Sequence, residues 1–159
     1  MPQSISQNRW PEVIFVKNRI MNKIFFADDD PDDLLLFAQA MEDLKQEFEV
    51  FYSGETIEEH LEAPSMIFLD INMPKRTGFE ILEVIREKYS KTQLPVIMFT
   101  TSNDQAMVER AKAAGANMFL VKPDSFWDLT HAIKTVLKTD WSDPDIEFVL
   151  SREKYLQDS

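Results

Sequence analysis

The chain has 159 residues, 44% of them hydrophobic, enough for one globular domain with a real core. Its formal net charge of -11 disfavours nucleic-acid backbones and anionic membrane, both of which call for clustered Lys and Arg. It has no cysteine, hence no disulfide or thiol chemistry, and no apolar stretch approaching the roughly 20 residues of a spanning helix, so a cytoplasmic protein is expected.

Residues 1–22 show no clear periodicity and read as an N-terminal extension. Val13-Ile14-Phe15-Val16 is too short for a signal-peptide core, and Met21 is an alternative start to Met1. Ile24-Phe25-Phe26-Ala27 then runs into Asp28 and Asp29. Asp30-Pro31 has the form of an N-cap and first helical position, and Leu34, Phe37, Ala38, Met41 and Leu44 recur at helical spacing. Phe48, Val50 and Tyr52 alternate with Glu47, Glu49 and Phe51, a half-buried pattern that predicts a strand at a sheet edge. Glu55 to Leu61 is a short helical segment, and Met66-Ile67-Phe68-Leu69 runs into Asp70. A helix carrying Ile81, Leu82, Ile85 and Tyr89 follows; Val96-Ile97-Met98-Phe99 then ends at Thr100. Met107, Ala111 and Ala114 mark a helix closed by Gly115, and Met118-Phe119-Leu120-Val121 ends at Lys122. The last periodic segment holds Phe126, Leu129, Ile133, Val136 and Leu137 and is stopped by Trp141-Ser142-Asp143-Pro144. Beyond it, residues 139–159 form a tail whose Ile146, Phe148, Val149 and Leu150 are expected to pack back on the domain. About 20 residues do not hold a separate output domain.

Strand and helix thus alternate five times over 23–138. Apolar runs of four are the habit of strands buried on both faces, and such alternation gives a parallel sheet with right-handed crossovers. Ligands of open α/β sheets sit outside the carboxyl ends of the strands. Three carboxylates (Asp28, Asp29, Asp70), the Thr100 hydroxyl and the Lys122 ammonium therefore converge there. That grouping suits a divalent cation and a phosphoryl group.

Helix capping and the helix dipole account for Asp30, Asp32 and Asp33. They do not account for Asp28 and Asp29, which stand at the strand end before any cap is needed. Adjacent carboxylates repel, and a hard cation with oxygen ligands removes that cost. The run lacks the alternating ligands and distal Glu of a calcium loop. A carboxylate such as Asp70 held near a metal can act as a nucleophile and form an aspartyl phosphate.

The segments FADDD, FLDINMP, VIMFTTS and AGANMFLVKP resemble, in order and spacing, the receiver domains of bacterial two-component response regulators, of the stand-alone, CheY-like type. The resemblance implies a flavodoxin-like (βα)5 doubly wound sandwich with a five-stranded parallel sheet of order 2-1-3-4-5. It makes Asp70 the phosphoacceptor. Asp28, Asp29, Asp70 and the backbone carbonyl of Asn72 become Mg2+ ligands, with Asp29 the more direct of the acidic pair. Thr100 and Lys122 bind the phosphoryl group, Phe119 is an aromatic switch that moves inward, and Lys122-Pro123 is a candidate cis peptide. Asp124, where an apolar residue is frequent, and Asp30, which lengthens the acidic run, depart from the common pattern without removing a reactive group.

The partners implied are a sensor histidine kinase or phosphotransfer protein and a downstream protein of unknown identity, with no nucleic acid or membrane, the regulator itself being a monomer or homodimer. Such a protein is no enzyme beyond its own phosphorylation and dephosphorylation. A haloacid-dehalogenase-type phosphatase would want a second Asp two residues after the nucleophile, where Asn72 stands. It would also want its acidic pair after the nucleophile in sequence. A phosphorylation-independent binding module of the same fold is the other alternative; the intact constellation counts against it, and a phosphorylation assay decides between them.

Overall fold

The four apolar runs between Ile24 and Val121 each form a strand, and with the alternating segment at Phe48–Phe51 they make one five-stranded sheet. The computed structural model describes residues 23–61 and 64–158; the N-terminal extension and both candidate starts lie outside them. The strands are β1 (Ile24–Ala27), β2 (Phe48–Phe51), β3 (Met66–Leu69), β4 (Val96–Thr100) and β5 (Met118–Val121). All neighbours pair in parallel, in the order β2-β1-β3-β4-β5, which is the flavodoxin-like arrangement. The helices are α1 (Pro31–Asp43), α2 (Gly54–Glu58), α3 (Gly78–Lys88), α4 (Gln105–Ala113), α5 (Phe126–Lys138) and α6 (Arg152–Gln157).

Two apolar layers explain why consecutive strand residues are all apolar. Phe25, Ile67, Leu69, Met98 and Phe119 face α2, α3 and α4 through Ile57, Ile81, Leu82, Ile85, Val108 and Ala111. Their neighbours Phe26, Phe68, Ile97, Phe99 and Leu120 face α1 and α5 through Phe37, Met41, Leu129, Ile133 and Val136. Phe37 closes an aromatic cluster there, its ring 4.2 Å from Phe26 and 5.1 Å from Phe68. Strands covered on both faces need no polar alternation.

The edge strand keeps its position but not its phase. The alternation set Tyr52 with Phe48 and Val50, whereas Tyr52 lies beyond β2 and is 73% exposed. Phe51, placed with the polar set, is buried against Phe25 in the other layer. Even an edge strand is covered on both sides here, so a two-residue alternation misassigns its last positions.

The tail packs back as expected, with one difference and one addition. Leu150 is buried and Ile146 and Phe148 are half-buried, but Val149 is exposed because it takes the outward position in a bridge beside β5. The Phe119 N–H donates to the Phe148 carbonyl at 2.8 Å, and the Leu150 N–H donates to the Phe119 carbonyl at 2.9 Å. The addition is α6, which buries Tyr155 beside α5. Its six residues carry too little periodicity to announce it.

Candidate functional site

The carboxyl end of the sheet gathers the charged groups because each strand stops where its polar residue begins. After β1, the Asp28 N–H still extends the ladder to the Phe51 carbonyl at 3.0 Å, which holds its side chain at the sheet end. Asp28 is fully buried; one carboxylate oxygen accepts the Asp30 N–H at 3.0 Å and the other faces the Lys122 ammonium at 2.6 Å. Asp30 caps α1 as expected, accepting the Asp32 N–H at 2.9 Å, with Pro31 in the first turn.

Asp70 is anchored in the same way, its N–H donating to the Ala27 carbonyl at 2.9 Å, and is 4% exposed. The loop behind it closes tightly. The Gly78 N–H donates to the Ile71 carbonyl at 2.9 Å, and a Cβ at Gly78 would meet the Asp70 carbonyl oxygen at 2.4 Å. Only glycine lets α3 begin this near the Asp70 backbone.

Thr100 and Lys122 complete the floor. The Lys122 N–H donates to the Thr100 carbonyl at 2.7 Å, which sets the two residues side by side. The Thr100 hydroxyl is fully buried and has no hydrogen-bond partner among the described residues. Buried hydroxyls are nearly always paired, so this orphan points to a group that arrives from outside. Lys122 Nζ contacts Asp28 at 2.6 Å, Asp33 at 2.8 Å and Asp70 at 3.5 Å.

The electrostatics show a surplus of negative charge. Burial pushes the Asp70 carboxyl up to about 7; the charge on Asp28 adds to that and Lys122 holds it back. Burial likewise raises Asp28 against its hydrogen bond to Lys122. On Lys122, burial disfavours the charge, but hydrogen bonds to Asp28 and Asp33 and the nearby carboxylate charges outweigh it and hold the ammonium above its ordinary range. Carboxylate oxygens of Asp28, Asp29 and Asp70 lie within 4.8 Å of one another. An all-oxygen set with more carboxylates than the one lysine can balance fits a hard divalent cation.

Five of the residues singled out in the sequence thus meet: Asp28, Asp29, Asp70, Thr100 and Lys122. Asn72 follows in the loop with its side chain exposed, and Pro123 is next to the site lysine. Phe119 stands apart, fully buried in the layer under α3 and α4, with its backbone bonded to the tail. Asp33 was assigned to helix capping alone, and that reading is corrected. It lies in the first turn of α1 and its carboxylate holds Lys122. The available signal was its spacing of four from Phe37, which puts it on the inward face of α1.

Residues 24–134 match the family model of the response regulator receiver domain. The transcriptional regulatory protein CpxR of Escherichia coli (strain K12) is 30% identical over 125 residues, 77% of this chain and 53% of the relative. The chemotaxis protein CheY4 of Vibrio cholerae superposes with a TM-score of 0.66 at 28% identity, covering 74% of this chain and 98% of that one. The response regulator DrrB of Thermotoga maritima superposes with a TM-score of 0.65 at 28% identity, covering 75% of this chain and 54% of that one. The chain spans about half or less of the length of the curated relatives it matches, from 35% to 53%.

Proposed function

The chain belongs to the response regulator receiver domain family, and from that premise we propose that Asp70 accepts a phosphoryl group from a phosphohistidine on a sensor histidine kinase or phosphotransfer protein. One observation carries the reading: the buried Asp70 carboxylate lies 3.5 Å from Lys122, at a sheet end where the buried Thr100 hydroxyl lacks a partner.

An Asp70 oxygen attacks phosphorus; the P–O bond forms as the P–N bond breaks, and the departing nitrogen keeps the electron pair of that bond, so an imidazole protonated on its other nitrogen leaves neutral. Such transfers pass through a loose transition state, so positioning and charge neutralisation do most of the work. Lys122 moves from Asp33 to a phosphoryl oxygen, and the Thr100 O–H donates to another, satisfying the orphaned hydroxyl. Mg2+, held by Asp28, Asp29, Asp70 and the Asn72 backbone carbonyl, would neutralise the carboxylates and a phosphoryl oxygen. The raised Asp70 carboxyl matters here, since only its ionised form attacks.

The product puts a doubly charged group where Lys122 and Thr100 must both respond, and so biases a surface that a downstream protein reads. A full switch from 1:99 to 99:1 needs about 5.5 kcal/mol of preference between states. Phe119 is already fully buried, so an inward swing of its ring adds no burial; its part in the switch runs through the β5 backbone. The surface read by the partner is formed by α4, β5 and α5, which carry or flank Thr100 and Lys122.

Acetyl phosphate with Mg2+ should label the protein, and Asp70→Asn should take up no label. Full labelling of the Asn variant would remove Asp70 from the role.

A further inference from the structure

The loop that follows Asp70 is tied down at both ends, and the far tie contributes no group to the site. Near Asp70, the Gly78 N–H closes the loop onto the Ile71 carbonyl at 2.9 Å. At the tip, the Arg76 guanidinium donates to the carboxylate of Glu58, the last residue of α2, at 2.8 Å. Gly54, the first residue of α2, lets the two elements approach this closely. A Cβ there would meet the Arg76 Cβ at 2.9 Å and the Arg76 carbonyl oxygen at 3.0 Å. Beside Arg76, Lys75 has a φ of 68°, left-handed backbone that a residue with a Cβ adopts only at a cost.

Such a conformation persists where its surroundings impose it. The loop's own bonds are short in range: the Met73 N–H donates to the Ile71 carbonyl at 3.2 Å, and the Arg76 N–H to the Pro74 carbonyl at 2.7 Å. The external restraint is the pair with Glu58. A pair on open surface restrains little, but these side chains are only 33% and 24% exposed. Among the described residues, Glu58 is the one carboxylate paired with Arg76, and the buried Arg76 Nε has no hydrogen-bond partner. Breaking the pair therefore frees the tip rather than passing it to a neighbour. Asn72 lies between the two ties. A carbonyl that must be ordered as a cation binds costs affinity, and one ordered beforehand does not.

We propose that Arg76, gripped by Glu58, is a positioning residue for the divalent-cation site: this clasp holds the strained loop in the shape that presents the Asn72 carbonyl beside Asp28, Asp29 and Asp70. The proposal rests on the Mg2+-dependent phosphoacceptor reading. It makes α2, which supplies no ligand, a determinant of cation affinity. Coupling is reciprocal, so the bound cation tightens the clasp by the same factor as the clasp tightens the cation.

The test is a Mg2+ titration of the full chain without any phosphoryl donor, followed through the amide NMR shifts of Asp70 and Asn72. Arg76→Met and Glu58→Met should each weaken Mg2+ binding about tenfold, as for loss of a group that orients a ligand. The sign separates positioning from simple charge. By field alone, removing a nearby cation tightens Mg2+ and removing a nearby anion weakens it. Positioning moves both variants the same way, and the double variant no further than either single one. Urea melts in EDTA establish that each variant is folded. Labelling by acetyl phosphate should match wild type at saturating Mg2+ and lag at limiting Mg2+. In wild type, which needs no variant to fold, Mg2+ should slow hydrogen exchange at the Arg76 and Gly78 amides. An Arg76→Met protein that binds Mg2+ as tightly as wild type, or more tightly, would overturn the clasp. So would additive losses in the double variant, or unchanged exchange at both amides in saturating Mg2+. A wild type that binds no Mg2+ would instead overturn the cation reading, and one that binds Mg2+ but takes no label on Asp70 the phosphoacceptor reading, which keeps the failures apart.

Discussion

Two basic side chains are drawn into this fold at opposite ends of the sheet, and their partners differ in kind. At the amino end, Arg86 of α3 donates to the carbonyls of Gly115, Leu94, Tyr89 and Ser90 and to the Asn117 side-chain oxygen, at 2.7 to 3.3 Å. Asn117 in turn accepts the Val96 N–H and donates to the Lys91 carbonyl. Every acceptor is neutral, and burial lowers the guanidinium to about 10, which still leaves it charged at neutral pH. At the carboxyl end, the ion-pair partners of the Lys122 ammonium are three carboxylates, which outnumber it, with the Phe99 ring 5.8 Å away. Neutral dipoles satisfy a buried cation and ask for nothing further, so Arg86 is a staple that joins α3 to the starts of β4 and β5. Surplus carboxylates leave a deficit that an incoming cation or a proton must fill, so Lys122 sits in a site that changes state.

The sharpest way to break this contrast is to remove each cation in turn. Arg86→Met strips several buried carbonyls of a charged donor, and should lower unfolding free energy by about 3 kcal/mol in urea melts. Its labelling by acetyl phosphate, at equal folded concentration, should be unchanged. Lys122→Met should show the opposite profile, with labelling about 100-fold slower, as for loss of one preorganised donor to a developing charge. Its stability should fall less, because Asp28 and Asp70 can take up protons. If Arg86→Met also stops labelling, the two ends of the sheet are not separable.

The surplus charge also predicts a pH dependence of the metal-free protein. Asp70 has its folded pKa raised from 3.8 to about 7, so the folded state binds the extra proton between those values. Stability from this group is fully present below about pH 4 and is lost as pH rises through about 7. Asp28, shifted the same way, adds to the slope. Asp70→Asn should therefore be more stable than wild type at pH 8, by about 2 kcal/mol, with the gap closing toward pH 4. Mg2+ should flatten the wild-type curve. A wild-type slope unchanged by the Asn substitution would mean that another group supplies it.

The carboxyl-end site was legible because strand ends are covalently tied to their polar residues. A run such as Met66 to Leu69 cannot be buried without delivering Asp70 to the sheet end, and the same holds for Asp28, Thr100 and Lys122. The staple at Arg86 was not legible, since its acceptors are mostly backbone carbonyls, and every residue has one. Asp33 was missed for a related reason: its helical position explained it adequately, and only the path of the lysine side chain reveals the second role. The C-terminal segment lay between these cases. Its apolar residues announced that it packs somewhere, but the choice of β5 edge and the pairing of Arg152 with Asp128 depend on three-dimensional proximity.

The smallest expected effect tests the corrected residue. Asp33 holds Lys122 at 2.8 Å while Asp70 has it at 3.5 Å, so the two carboxylates compete for one ammonium. Asp33→Asn keeps an oxygen acceptor in place but removes the charge, which weakens the hold and lets Lys122 spend more time beside Asp70. Labelling by acetyl phosphate should accelerate about threefold, a barrier change of under about 1 kcal/mol. Loss of an acidic group from the first turn of α1 should lower stability by about 0.5 kcal/mol through the helix dipole. Slower labelling would reverse the assignment: Asp33 would then be a positioning residue that keeps Lys122 aimed at the phosphoryl group, and the competition between the two carboxylates would be ruled out.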